Sequence, residues 1–265
     1  MWEGTVLITG CSEGGIGSAM AKVFAAKGYR VFATLRNSSK GGPSLENTPG
    51  IEVLLFDVTS LDSIKQCAAE VQKRTGGKLD VLVNNAGADY VMPLLDVDID
   101  DAKRFYDLNV WSVLGMVQAF APVLIKAKGV VVNHSSVASV MPLAWAGIYS
   151  SSKSAMNSIL ATLRAEGVRV ITAASDLVLP EGSYYQQVFD RISDIRKGLA
   201  QLGSMDVNVV PRSMVADIES GKNGVIWRGG TSSLTRYLVW LLPNGLFESL
   251  VNWVRGLERV QTETK

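Results

Sequence analysis

The sequence predicts an α/β chain: a doubly wound parallel sheet in one domain, extended at its C-terminal end by an apolar helical segment. Three observations carry that expectation. Short apolar runs recur, they alternate with longer segments patterned as helices, and the runs are apolar on successive residues rather than on alternate ones. A strand that is apolar throughout is buried on both faces, the condition of a parallel sheet covered by crossover helices. In such sheets ligands sit beyond the carboxyl ends of the strands.

The elements follow in order. Val6-Leu7-Ile8 predicts the first strand, and a helix rich in small residues runs from about Ile16 to Lys27 before Gly28 stops it. Arg30 to Thr34 predicts the second strand and Glu52 to Phe56 the third. Between them, Asn37 to Gly50 is rich in Ser, Gly, Pro and Asn, the composition of a surface loop. A polar-faced helix over Leu61 to Arg74 leads through Thr75-Gly76-Gly77 into a fourth strand, Leu79 to Val83. Val130-Val131-Val132, Val168 to Ile171 and Gly224 to Trp227 predict the later strands.

Composition narrows the function. Apolar residues are 47% and charged residues 19% of 265, enough for a large core and too apolar for disorder. Lys and Arg number 26 against 25 Asp and Glu, so the basic excess of a nucleic-acid binder is missing. Cys11 and Cys67 have no metal-ligand spacing and fit a reducing compartment. The single histidine, His134, nearly excludes a zinc site or a Ser-His-Asp triad. Met1 to Gly4 passes directly into the first strand, with neither the basic region nor the cleavage site of a signal peptide. No run reaches the roughly 18 uninterrupted apolar residues of a membrane span. These features predict a soluble intracellular protein, with membrane contact left open.

Between the first strand and the first helix stands Thr9-Gly10-Cys11-Ser12-Glu13-Gly14-Gly15-Ile16-Gly17. Glycines there let the chain turn tightly and bring backbone N–H groups against a pyrophosphate at a helix N-terminus. The turn nominates Gly10, Ser12, Gly15, Ile16 and Gly17 as cofactor contacts. NAD enzymes tend to carry an acid at the end of the second strand, whereas this chain has Thr34-Leu35-Arg36. A guanidinium suits the 2′-phosphate of NADP(H) through charge-assisted bidentate bonds, although a solvated surface arginine is common too. Asp57, past the third strand, is placed either to accept from an adenine amino group or to shape a turn.

Chemistry concentrates in Asn109, Ser136, Tyr149 and Lys153. Lys153 lies four residues after Tyr149 and so shares its helix face. An ammonium beside a phenol is expected to lower its pKa from about 10 toward the working range of a general acid. Ser136, at the end of the fifth strand, is expected to donate to a substrate oxygen. A Tyr-x-x-x-Lys spacing is cheap in isolation; the glycine-rich turn upstream and Ser136 thirteen residues before Tyr149 give it weight.

These residues resemble the short-chain dehydrogenases/reductases, which have a Rossmann-like fold. Thr9 to Gly17 is similar to the family's Thr-Gly-x-x-x-Gly-x-Gly turn, Asn84-Asn85-Ala86-Gly87 to its Asn-Asn-Ala-Gly motif, and Asn109, Ser136, Tyr149 and Lys153 to its catalytic tetrad. The resemblance adds Asn84 and Gly87 to the cofactor contacts, assigns Tyr149 and Lys153 to cofactor binding as well as catalysis, and has Asn109 anchor a water that relays protons to Lys153. It implies NADP(H), a small carbonyl substrate and a homo-oligomer, with no metal. Within the family, Ile125 to Gly129, Leu179 to Tyr185 and Trp227 to Gly230 resemble the fungal NADPH-dependent 1-acyldihydroxyacetone-phosphate reductases, a subgroup that includes enzymes of secondary metabolism. The implied reaction is reduction of a lipid-like or secondary-metabolite ketone to a secondary alcohol.

The chain departs from the family pattern twice. The turn is one residue longer, with Gly14 and Gly15 absorbing the insertion. The stretch from Arg164 to Leu179 is shortened around the sixth strand, which raises the alternative of a weakly active or non-catalytic NADP-binding or membrane-associated protein on the same fold. Residues 1–230 then form the dinucleotide-binding and catalytic part, and 231–265 the extension of the same domain. Two amphipathic helices broken at Pro243-Asn244-Gly245 are expected in that extension, as a substrate flap, an oligomer contact or an interfacial anchor. With the lipid-like substrate that the resemblance implies, such an anchor makes the expected location cytoplasmic or peripheral on an endoplasmic reticulum or lipid-droplet surface.

Overall fold

The structure is a computed structural model that describes residues 3–37, 39, 41, 43–141, 143, 145–175, 209–229, 232–243, 245–247 and 249. The elements run β1 (Thr5–Ile8), α1 (Ile16–Ala26), β2 (Arg30–Leu35), α2 (Pro43–Glu46), β3 (Ile51–Leu55), α3 (Leu61–Arg74), β4 (Val81–Asn84), α4 (Ile99–Tyr106), α5 (Ser112–Ala127), β5 (Val130–Ser136), α6 (Gly147–Ala165), β6 (Val170–Ser175), α7 (Val209–Glu219), β7 (Gly224–Trp227) and α8 (Ser232–Leu241). The strands form one seven-stranded sheet in the order β3-β2-β1-β4-β5-β6-β7, every pairing parallel. The order reverses between β1 and β4, which opens a crevice beyond their carboxyl ends.

Alternation along each strand divides the core in two. Val6, Ile8, Val31 and Val132 face α1 and α7, with Phe24 of α1 and Met214 of α7 fully buried against them. Leu7, Phe32, Leu82 and Val131 face α3, α5 and α6, where Phe120 and Met156 are buried. Truncating a buried Phe of this kind costs about 3–5 kcal/mol.

Several boundaries differ from the sequence pattern. β4 starts two residues late because Asp80 serves β1 instead: its carboxylate accepts from the Thr5 amide and hydroxyl, both at 2.8 Å. β5 continues to Ser136 and β6 to Ser175, in register Ser136↔Ser175, although the polar residues there end the apolar runs. The expected surface loop over Asn37 to Gly50 contains α2, whose Leu45 is fully buried.

Apolar patterning places no helix between β4 and β5, where α4, a π-helical turn over Asp107–Trp111 and α5 run without a break. These 29 residues are apolar enough to cross a membrane, and 56% of their most apolar window is buried within the protein. They are a core helix of the sheet.

At the far edge, α7 is tied to β7 by Asp217, whose side chain is 4% exposed. Its carboxylate takes Arg228 Nε and Nη2, both at 2.6 Å, and Lys222 Nζ at 2.5 Å. α8 carries Leu234, Tyr237, Trp240 and Leu241 on its exposed surface. Residues 176–208, and the part of the expected second C-terminal helix from 250 onward, lie outside the described residues.

Candidate active site

The glycine-rich turn sits at the reversal point, and its sequence follows from what surrounds it. Gly10 has φ +71°, and a Cβ there would stand 2.8 Å from Ala86 Cα. Gly14 has φ +74° with open space around it, so the extra residue is absorbed by a left-handed turn that only glycine adopts cheaply. A Cβ on Gly17 would lie 2.5 Å from Asn85 Nδ2 and 2.7 Å from the Gly10 carbonyl. Gly15 is the N-cap of α1 and supplies no side-chain cap, and the first turn holds no acid. The free N–H groups of Ile16 and Gly17 and the positive end of α1 therefore open onto a cradle shaped for an anion. Ser12 is exposed at its rim.

Thr9 locks this turn to β4. Its hydroxyl accepts from the Asn85 and Ala86 amides, both at 2.9 Å, and the Cys11 amide donates to Thr34 O at 2.9 Å. Cys11 is fully buried, and burial pushes its thiol up to about 12, so it packs rather than reacts. Arg36 is exposed just past β2 and has no protein partner among the described residues. Asp57 shapes a turn: its Oδ1 accepts from the Thr59 amide and hydroxyl at 2.9 and 2.8 Å ahead of α3.

Asn84, expected as a cofactor contact, turns its side chain into the sheet. It lies on the same face of β4 as Leu82, buried, and donates to Asn133 Oδ1 across the β4–β5 pair at 2.8 Å. The even-odd alternation of the strand turns that side chain away from the turn, and the neighbouring Asn85 bonds the turn instead. Gly87 does reach the site: a Cβ there would stand 3.2 Å from Asn109 Oδ1 and 3.7 Å from Lys153 Nζ.

The other tetrad residues converge beside this crevice. Ser136 ends β5, and its hydroxyl accepts from the Ala138 amide at 3.2 Å while bonding the Tyr149 phenol. Tyr149 lies in the first turn of α6, and Lys153 follows one turn on; both are buried. Lys153 Nζ donates to His134 O at 3.0 Å and stands 5.8 Å from the Tyr149 ring centroid. Asn109 occupies the π-helical turn, a geometry frequent at functional sites. Its amide clamps the chain after β4, accepting from Ala88 N and donating to Ala88 O at 3.0 Å each, with a further bond to Ser152 Oγ at 3.3 Å. These bonds make the Asn109 side chain a clamp on the segment after β4.

Charge in the site differs from the expected pattern. Burial raises the Tyr149 pKa, Ser136 pulls against that rise, and the Asp89 carboxylate adds to it. The expected depression by Lys153 does not dominate, because the phenol is desolvated while the ammonium is turned to His134 O. Burial lowers Lys153 to about 8, with Asp89 opposing. His134 is lowered to about 3 by burial and by Lys153. The result is a neutral phenol, able to give a proton, beside an ammonium that titrates near neutral pH.

Aromatic rings pack beside Tyr149 in one apolar cluster. Tyr90 and Phe105 have ring centroids 5.4 Å apart, and Phe105 meets Tyr149 edge-on at 6.5 Å. Met92 N donates to Trp145 O at 2.7 Å, and Trp145 is held at φ +67°, a strained conformation for a bulky residue. Residues after β4 are thereby fastened over the N-terminus of α6. Thr9, Asn85, Asp89 and His134 were not singled out from the sequence as site residues. Asn85 stood inside a quoted motif and His134 was unique, yet the contacts that give them roles are between distant strands.

Fold and site together define an oxidoreductase acting on CH–OH or C=O groups with a nicotinamide cofactor. The family model for short chain dehydrogenases matches residues 4–179, and the chain belongs to that family. It is similar to the short-chain dehydrogenase cctT of Talaromyces islandicus, 48% identical over 97% of this chain and 96% of the relative. It also resembles the NADPH-dependent 1-acyldihydroxyacetone phosphate reductase of Schizosaccharomyces pombe, 43% identical over 62% of this chain and 55% of that protein. Among solved structures, the fold matches an alcohol dehydrogenase from the archaeon Thermococcus sibiricus complexed with 5-hydroxy-NADP, with TM-score 0.73, 20% identity, and coverage of 86% of this chain and 97% of the other. A 7 alpha-hydroxysteroid dehydrogenase complexed with NADH and 7-oxo glycochenodeoxycholic acid matches with TM-score 0.76, 22% identity, and coverage of 87% and 94%.

Proposed function

We propose that the protein reduces a ketone to a secondary alcohol with NADPH, and that the ketone is a cyclic or aromatic metabolite. The observation that carries this reading is the convergence of Ser136, Tyr149 and Lys153 beside a cradle that a single added Cβ would fill. The turn and α1 fit a pyrophosphate, and Gly87 leaves room beside Lys153 for the nicotinamide half. Arg36, exposed where NAD enzymes tend to have an acid, supports NADP(H) over NAD(H). A relative is named NADPH-dependent, in the same direction.

When bound, the nicotinamide supplies the hydride to the carbonyl carbon. The chain manages the oxygen. Tyr149 gives its phenolic proton to that oxygen as charge develops there, and the Ser136 hydroxyl turns from Tyr149 to donate to it. The Lys153 ammonium stabilises the phenolate left behind and holds the ribose hydroxyls. Tyr90 and Phe105 support a flat apolar substrate over a highly charged one.

The test is the loss of reduced-cofactor absorbance on mixing protein and NADPH with cyclic and aryl ketones, and with an acyl-dihydroxyacetone phosphate as the competing substrate class. Tyr149→Phe is expected to lower kcat by about 10²–10⁴; full activity in that variant overturns the reading, and no turnover with any ketone favours a binding protein. Arg36→Ala is expected to weaken NADPH binding about tenfold and leave NADH unchanged. We also propose that copies associate through the exposed Ile99 and Trp111, which line a groove along α4 and the π-helical turn; light scattering with Trp111→Lys checks this.

A further inference from the structure

His134 is a half-buried titratable group at the site that the proposed chemistry leaves unused. Its position is defined on two sides. On the first, its Nδ1 stands 3.1 Å from Asn85 Oδ1. Asn85 Nδ2 donates to Thr9 O at 2.9 Å and to Gly10 O at 3.0 Å, so both amide hydrogens are committed to the turn. The side facing His134 must then be the carbonyl oxygen, an acceptor, and the proton between them belongs to Nδ1. Rotating the Asn85 amide would set its oxygen against two carbonyls. On the second side, the main-chain carbonyl of His134 receives the Lys153 ammonium at 3.0 Å.

We propose that His134 is a positioning residue that joins the phosphate-binding turn to Lys153, its Nδ1–H holding Asn85 against the turn and its own carbonyl holding the ammonium. One residue of β5 then sets the distance between the pyrophosphate cradle and the ribose-holding lysine. A general acid or base at this position is disfavoured by burial, which with Lys153 lowers the imidazole to about 3 and leaves it neutral near pH 7. A neutral, single-tautomer imidazole is a fixed strut, with a donor whose direction is set by the strand. Asn85 is squeezed from the other side as well, since a Cβ at Gly17 would come within 2.5 Å of its Nδ2.

Only the cofactor half of the test rests on the NADP(H) reading above. Because the chain has a single histidine, the imidazole ¹⁵N resonances of untagged protein report His134 without assignment. The expected result, on protein with no cofactor added, is a proton on Nδ1 and none on Nε2, unchanged over roughly pH 5–8; an Nε2-protonated or titrating ring overturns the proposal. His134→Leu removes the donor, and His134→Asn replaces it with an amide N–H near the same point. His134→Leu is expected to raise the Kd for NADPH about tenfold and leave the ketone KM within about twofold, with His134→Asn restoring binding to within about threefold. Leu binding as wild type, or Asn failing as Leu does, overturns it. If the Leu variant does not fold, the imidazole spectrum decides. Wild-type protein that binds no NADPH refutes the cofactor reading and leaves the tautomer test standing.

Discussion

Replacing Gly17 by Ala tests the cofactor cradle with one methyl group. Gly17 is helical, outside the left-handed region, so alanine suits its backbone and adds about 1 kcal/mol of helix propensity. The new Cβ, however, would stand 2.5 Å from Asn85 Nδ2 and 2.7 Å from the Gly10 carbonyl, closer than real contacts allow. The carbonyl is backbone, and Asn85 can withdraw only by giving up Thr9 O and Gly10 O. At about 0.5–1.5 kcal/mol each, those two bonds cost about 1–3 kcal/mol. After the helix gain, stability falls by about 0–2 kcal/mol, a Tm decrease of up to about 8 °C for a chain of this size. Binding suffers more, because the turn must shift by tenths of an ångström where backbone N–H groups meet phosphate; at least a tenfold rise in the NADPH Kd is expected. Fluorescence titration with NADPH and a thermal melt read the two effects separately. Gly14→Ala is the control: open space surrounds it, so its cost is the strain of φ +74° alone, about 1 kcal/mol. Gly17→Ala binding NADPH within twofold of wild type would refute the reasoning.

Two further perturbations address charge. Lys153 sits at about 8, so the rate of reduction is expected to decline as the pH rises through that value and the ammonium is lost. Asp89 holds Lys153 up against its burial, so Asp89→Asn should move that alkaline limb to lower pH; an unmoved limb in the kcat/KM profile removes Asp89 from the site. Asp217→Asn breaks the tie between α7 and β7. A buried ion pair that loses one partner costs about 3–5 kcal/mol, and less here because Arg228 and Lys222 are 34% and 48% exposed and regain water. About 2–3 kcal/mol, or roughly 5–10 °C in Tm, is expected with NADPH binding unchanged. Arg228 and Lys222 hold the Asp217 carboxyl below the usual range against its burial. Its contribution is therefore complete above the ordinary carboxylate pKa and is lost as the pH falls through its lowered value, so the two proteins should converge in acid.

The periodic features of this protein were legible in its sequence because they depend on nearest neighbours. Apolar runs marked every strand near its place, Gly10 and Gly17 marked the turn, and Tyr149 and Lys153 marked one face of a helix. Polar residues inside the sheet were not legible: Ser136 and Ser175 extend β5 and β6 because strand pairing, rather than hydropathy, satisfies their backbone groups. The α5 part of the 29-residue helix from Ile99 to Ala127 escaped the pattern for the opposite reason, since an apolar stretch with so few charges shows no clean polar face.

Tertiary structure decided which asparagine faced which way. Asn84 and Asn85 are adjacent in sequence, yet strand alternation sends Asn84 to Asn133 and Asn85 to the turn and His134. It also decided the charge of the site, where the shared face of Tyr149 and Lys153 suggested a depressed phenol and desolvation raised it instead. Sequence by itself determined the residue types and their order along the chain, hence the fold, the family and the chemistry open to them. Only the packed structure set burial and the partners across the sheet, because both depend on contacts between residues such as Thr9, Asn85 and His134 that lie far apart in the chain.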